Sequence, residues 1–287
     1  MRHWAVVVVT ANPTIIDVFT DTIQEPPMNA VTTMRLAIAV SLAALVSHTV
    51  HADHCGTEHE AEHNTLSEQE VADGWVLLFD GETMDHWRGF KMKGAPEGWV
   101  VQDQAITRTG QDSWIDLITR EQYDDFELSL EWKISEGGNS GIFFNVTEKH
   151  EHVWDSGPEM QVLDNGTHHD GNNTLTSAGA NYALHVPSED ATRPVGEFNH
   201  ALIIVRGNHV EHHLNGVKLL EYELASDEWE ALVAASKFNE MPGYGRAESG
   251  HIALQDHGDI VSYRNIKIRV PQAAQSQPTT QGDQASE

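Results

Sequence analysis

In PEMQVLD, Glu159 and Gln161 stand two residues apart. On an extended strand both side chains leave by one face while Met160 and Val162 leave by the other. A carboxylate beside an amide is equipped to move a proton and to pair with hydroxyl groups. In HIALQDHG the same alternation gathers His251, Gln255 and His257 opposite Ile252 and Leu254. Glu131 and Lys133 occupy the polar side of FELSLEWKI, Asn139 lies in the glycine-rich turn EGGNSG, and Lys237 ends a helical stretch in SKFNEMPG. Carboxylate, amide, imidazole and ammonium groups brought together would suit proton transfer on a polyhydroxylated ligand. They converge only if the sheet curves. Plainer readings stand beside this one: Glu159 as a solvated strand carboxylate, His257 as a turn residue next to Asp256 and Gly258, and Lys237 as a cation at a helix C-terminus.

Other chemistry is absent from the pattern. Ser140 in GNSGIF lacks the GxSxG elbow of a serine hydrolase, and neither a P-loop nor GxGxxG nor HExxH occurs. His168-His169-Asp170 has metal-ligating residue types, but adjacent histidines on a loop do not easily share one ion, so the tract reads as ordinary loop.

The elements that must position these groups are strands. Phe126, Leu128, Leu130 and Trp132 alternate with Glu127, Ser129, Glu131 and Lys133, the period of a half-buried strand. WVLLF, the two runs around Asp103, GIFFNV and PEMQVLD read as further strands. Hairpins turn at Gly207-Asn208 and, most clearly, at Asn215-Gly216. Thr119–Tyr123 is expected to form one helical turn with Thr119 as its cap. SDEWEALVAASKF is the one convincing helix, capped by Ser226 or Asp227, with Trp229, Leu232 and Val233 on one face. Residues 165–193 form a long loop, a length that usually carries function. Residues 73–270 thus predict one all-β domain, a sandwich or jelly roll with a single short helix.

Outside that domain, residues 1–33 read as an upstream extension from an early start codon. Residues 34–52 have the basic start, apolar run and small-residue end of a secretory signal, too short for a confident membrane span. Residues 53–72 read as a polar linker rich in acid and histidine; His48, His51, His54, His59 and His63 fall on or just before it. Residues 271–287 read as a disordered tail. The single cysteine, Cys55, excludes an intramolecular disulfide, and the residues before it do not make a lipobox. A net charge of −27 repels phosphate backbones and anionic lipid, which disfavours nucleic acid as a partner. The expected location is periplasmic or extracellular.

Taken together, WVLLFDGETMDHW, FELSLEWKISEGGNSGIFF, GPEMQVLD, NHVEHHLNGVK, ASKF and GHIALQDHGDIVSYRNIKIR resemble the 3-keto-disaccharide hydrolase domain family, in order, across residues 73–270. The resemblance implies a concanavalin-like jelly roll and a small carbohydrate substrate, a glycoside oxidised at carbon 3. A ketone there acidifies the hydrogen at carbon 2, so a base can form an enolate that expels the aglycone, and water then adds back. On the matched positions we assign Glu159 and His257 as the proton-transfer pair, with Lys237 in the catalytic set. Glu131, Asn139, Gln161 and Gln255 are assigned to hold the sugar. A divalent metal chelated by the 2-hydroxyl and 3-keto oxygens would be an effective electrophile; if one is present, Glu159 and His257 are its ligands instead and the base lies elsewhere. The alternatives are a non-catalytic carbohydrate-binding module and a two-carboxylate glycoside hydrolase using Glu131 and Glu159.

Overall fold

The computed structural model describes residues 62–110 and 114–271. The signal-like run, Cys55, the histidines before His63 and residues 272–287 lie outside them. Strands are numbered β1 Trp75–Leu77, β2 Trp87–Gly89, β3 Trp99–Gln102, β4 Ala105–Arg108, β5 Leu117–Thr119, β6 Phe126–Ile134 and β7 Asn139–Val146. They continue as β8 Glu159–Leu163, β9 Asn199–Arg206, β10 His209–Leu214, β11 Val217–Glu223, β12 His251–Leu254 and β13 Val261–Arg269. The helices are α1 Glu68–Ala72 and α2 Asp227–Ala235.

Two antiparallel sheets form a sandwich. The larger runs β11-β10-β9-β6-β13-β4-β3, with β1 also paired to β13, and the smaller runs β2-β5-β12-β7-β8. The alternation of β6 sends Phe126, Leu128, Leu130, Trp132 and Ile134 into one core cluster with Ile142, Phe144, Met160 and Val162 of the smaller sheet. The rings of Phe126 and Phe144 meet edge-on at 6.3 Å. Ser140 and Tyr263 add a hydroxyl pair at 2.8 Å between the sheets. Each such apolar side chain contributes roughly 1.5–3 kcal/mol by leaving water.

Every residue of β7 and β8 is buried, so neither strand has a water-facing side. One face meets the core; the other lies under loops, and that second face carries the polar groups. A bulge in β7 at Asn145 shifts the pairing with β12 between His251 and Ala253. His251 is thereby left at the strand's start, bonded to Gln122 at 3.0 Å rather than grouped with Gln255 and His257.

Several local expectations meet the coordinates. The hairpins at Gly207-Asn208 and Asn215-Gly216 join β9 to β10 and β10 to β11. Asn215 and Gly216 both take positive φ, as a tight hairpin turn requires. Thr119–Tyr123 is not helical: Thr119 ends β5, and Tyr123 bridges to Gly250. The tract read as linker is folded at its end. Ser67 and Glu70 form a capping box that starts α1, and Asn64 exchanges backbone–side-chain hydrogen bonds with Asn265. Polar caps, rather than an apolar stripe, make this element, so periodicity could not find it.

Candidate active site

Glu159, the first residue of β8, lies on the loop-covered face of the smaller sheet and is 7 % exposed. It fits there because of Gly141 on the neighbouring strand: a Cβ at that position would fall inside contact distance of Glu159 Oε1. Burial pushes the Glu159 carboxyl up to about 8; the nearby Lys237 cation opposes this, and Asp116 and Asp170 add to it.

Lys237 is delivered by a corner with its own caps. The Ser226 hydroxyl accepts from Trp229 N to begin α2, and the Ser236 hydroxyl accepts from Phe238 N to begin a 3₁₀ turn over Lys237–Glu240. Lys237 therefore opens a new turn rather than ending the helix. The corner is anchored by stacked rings, Tyr222 on Trp229, Trp229 on Tyr244, and Tyr244 on Phe238 at 3.8 Å. Lys237 Nζ lies 4.1 Å from the Tyr182 ring centre. Burial holds its pKa below the ordinary lysine value.

Gln161 and Gln255 complete the floor with Asn139. The Gln161 amide donates to the Thr176 carbonyl at 3.2 Å. The Oε1 atoms of Gln161 and Gln255 are buried without a hydrogen-bond partner. Buried acceptors left open cost about 1–3 kcal/mol each, so this floor is built to receive donors. Gln255 and His257 sit on the turn after β12. There Asp256 accepts from Ile115 N and Gly258 N and pairs with Arg108 at 2.6 Å, all behind the floor. Asp259 accepts from Asn139 N at 3.0 Å and lies 3.7 Å from His257 Nδ1.

These groups line one pocket of about 200 Å³ together with Trp154, Asp170 and Tyr182. Of the seven assigned residues, Glu159, His257, Lys237, Asn139, Gln161 and Gln255 share it. Glu131 does not. It lies on β6 in the larger sheet, where Arg264 holds it at 2.7 Å and lowers its pKa against the effect of burial. Lys133 belongs to that sheet too, 4.8 Å from the Phe198 ring centre. Strand alternation had identified a polar side of each strand correctly, but β6 and β8 belong to different sheets.

Three pocket residues escaped the sequence reading. Trp154, stacked on His152 at 4.3 Å, is an aromatic wall of the pocket. Asp170 and Tyr182 come from the long loop, with Tyr182 Oη donating to Asp170 at 3.4 Å. The loop's length was the available signal. Glu159 and His257 both line the pocket, and among the described residues neither belongs to a group of three donor residues within 4.8 Å of one another. His168, His169 and Asp170 do bring ligand atoms within 4.8 Å, although His168 Nδ1 already accepts from Asp170 N at 3.1 Å.

Comparison with known proteins decides the family. Residues 74–269 match the 3-keto-alpha-glucoside-1,2-lyase-like domain. The chain belongs to this family. A protein of Bacteroides thetaiotaomicron named 3-keto-disaccharide hydrolase is 35 % identical over 240 residues, 73 % of this chain and 83 % of its own length. A crystal structure of a candidate glycosyl hydrolase from Parabacteroides distasonis is 32 % identical with a TM-score of 0.68, covering 74 % of this chain and all of that one. A second from the same organism is 29 % identical with a TM-score of 0.55, covering 69 % of this chain. The expected jelly-roll sandwich is borne out by the two sheets and these relatives. This family member is an enzyme of the carbohydrate hydrolase class.

Proposed function

We propose that this enzyme cleaves glycosides whose sugar carries a ketone at carbon 3, by elimination and hydration, and that it works outside the cytoplasm. The observation that carries the reading is Glu159, a buried carboxyl pushed up to about 8 beside Lys237. A carboxylate of such basicity is better matched to a carbon acid than an ordinary one. Glu159 in its ionised form takes the proton from carbon 2, and Lys237 offsets the charge of the enolate. The C1–O bond breaks as His257, at the pocket rim, gives a proton to the departing aglycone oxygen. Water then adds across the resulting double bond: its hydroxyl joins carbon 1 as His257 takes its proton, and Glu159 returns a proton to carbon 2, so both groups regain their starting states and the net change is hydrolysis. The open amide oxygens of Gln161 and Gln255 accept from sugar hydroxyls, and Trp154 offers a flat apolar wall.

The pocket volume of about 200 Å³ falls below the range of roughly 300–1,000 Å³ for drug-sized ligands, which suits one sugar ring with its aglycone outside. A two-carboxylate mechanism through Glu131 has no support, because Glu131 is on the other sheet. Only Asp170 favours ordinary hydrolysis, as a second carboxylate in the pocket.

Export rests on the apolar run at 34–52. The decisive experiment gives the enzyme a 3-keto-glucoside or its unoxidised parent in D₂O and follows both by proton NMR. Turnover of the keto compound alone, with deuterium entering carbon 2, is expected. Turnover of the parent, or of the keto compound without deuterium at carbon 2, would overturn the elimination route.

A further inference from the structure

Away from the pocket, the hairpin of β10 and β11 carries a second chemistry-bearing set. Glu211 and Glu221 face each other in register, and His209 stands in register with Glu223. Like charges directly opposed on neighbouring strands destabilise a sheet unless a cation lies between them. The structure holds one there. Lys218 Nζ lies 3.2 Å from Glu211 Oε1 and 2.5 Å from Glu221 Oε2.

His209 is arranged around the same point. Its Nδ1 donates to Glu223 Oε1 at 2.7 Å, which turns Nε2 toward the opposed carboxylates, 3.2 Å from Glu211 Oε1 and 3.8 Å from Glu221 Oε2. An imidazole oriented by a carboxylate on one nitrogen, with the other nitrogen aimed at further donors, is the supporting arrangement around metal-bound histidines. His213 holds the second oxygen of Glu211 at 2.6 Å, so Glu211 Oε1 is left to face the shared point. A bulge between His212 and His213 brings Lys218 opposite His213. The donor atoms of His209, Glu211 and Glu221 all lie within 4.8 Å of one another.

We propose that His209, Glu211 and Glu221 form a binding site for a divalent transition-metal ion of the zinc type, in which Lys218 acts as the resident cation until the metal displaces it. The mixed nitrogen and oxygen set favours such an ion over calcium or magnesium, which prefer oxygen alone. Three protein ligands leave a coordination position for water. Lys218 is exposed, so a bound metal can displace its ammonium into solvent. Bound metal would tie β11, an edge of the larger sheet, to β10. The site is independent of the sugar pocket.

The test uses the full chain, stripped with chelator and titrated with Zn²⁺ while metal content and thermal midpoint are recorded. Zn²⁺ is expected to raise the midpoint, whereas equal Ca²⁺ leaves it unchanged. His209→Gln and Glu221→Gln, both at partly exposed positions, should abolish the rise. Lys218→Ala should tighten Zn²⁺ binding about tenfold by removing the competing charge. The histidines near the N-terminus remain in every variant, so metal they hold is common to all and cancels. A midpoint that ignores Zn²⁺ in both the parent and Lys218→Ala, or a rise that survives His209→Gln, would overturn the assignment.

Discussion

At the scale of single residues, the pocket depends on an absent side chain as much as on those present. Gly141 leaves the space in which the Glu159 carboxyl lies. Gly141→Ala is therefore expected to lower kcat on a 3-keto-glycoside by about 10²-fold or more, close to the effect of Glu159→Gln, since general-base steps contribute roughly 10²–10⁴-fold. The carboxyl at about 8 gives a second readout. If Glu159 is the base, kcat/KM rises with pH up to about 8 and this limb is missing in Glu159→Gln; a fall through the same range would make it the acid. Much of the pocket was legible residue by residue. Glu159, Gln161, Gln255 and Asn139 followed from alternation and turn composition. The basicity of Glu159 was not legible, because it arises from burial under loops distant in sequence.

At the scale of elements, strand alternation tells which side of a strand is polar but not which sheet the strand joins. FELSLEWKI and PEMQVLD look alike, yet β6 is the centre of the larger sheet, paired to β9 and β13, while β8 is an edge of the smaller. Glu131 was misplaced for that reason. The turn after β12 is an element-scale device as well. Asp256, buried with Arg108, accepts two backbone N–H groups and fixes the turn that carries Gln255 and His257. Removing one member of a buried ion pair leaves the other charge uncompensated, at about 3–5 kcal/mol. Asp256→Asn should lower the free energy of unfolding by that order in denaturant titration. Activity measured well below the new midpoint should also fall, since Gln255 and His257 lose their support. Destabilisation with unchanged turnover would separate this turn from the site.

At the scale of the whole molecule, a net charge of −27 makes every buried, ionisable carboxyl a liability, because its ionisation adds to an already repulsive field. Glu159 is such a group, held in the fold with a carboxyl raised from 4.5 to about 8. Between those values the folded protein keeps a proton that the unfolded chain has released, so the folded state binds more protons. Stability therefore falls as pH rises through the window. At about 1.4 kcal/mol per pKa unit the ceiling is about 5 kcal/mol, and water entering the pocket reduces it. Glu159→Gln fills the same space without an ionisable group. Its thermal midpoint should match the parent below pH 4.5, where the Glu159 carboxyl is protonated in the folded and unfolded chains alike, and exceed it increasingly toward pH 8. Asp116, also raised by burial to about 7, titrates in both proteins, and its charge is part of what raises Glu159. A variant that gains no stability over the parent between pH 5 and pH 8 would mean that the carboxyl is already ionised in the folded enzyme, and the base would then be an ordinary carboxylate. A gain that grows with pH, together with lost turnover, would identify Glu159 as a group whose catalytic state the fold holds against its own stability.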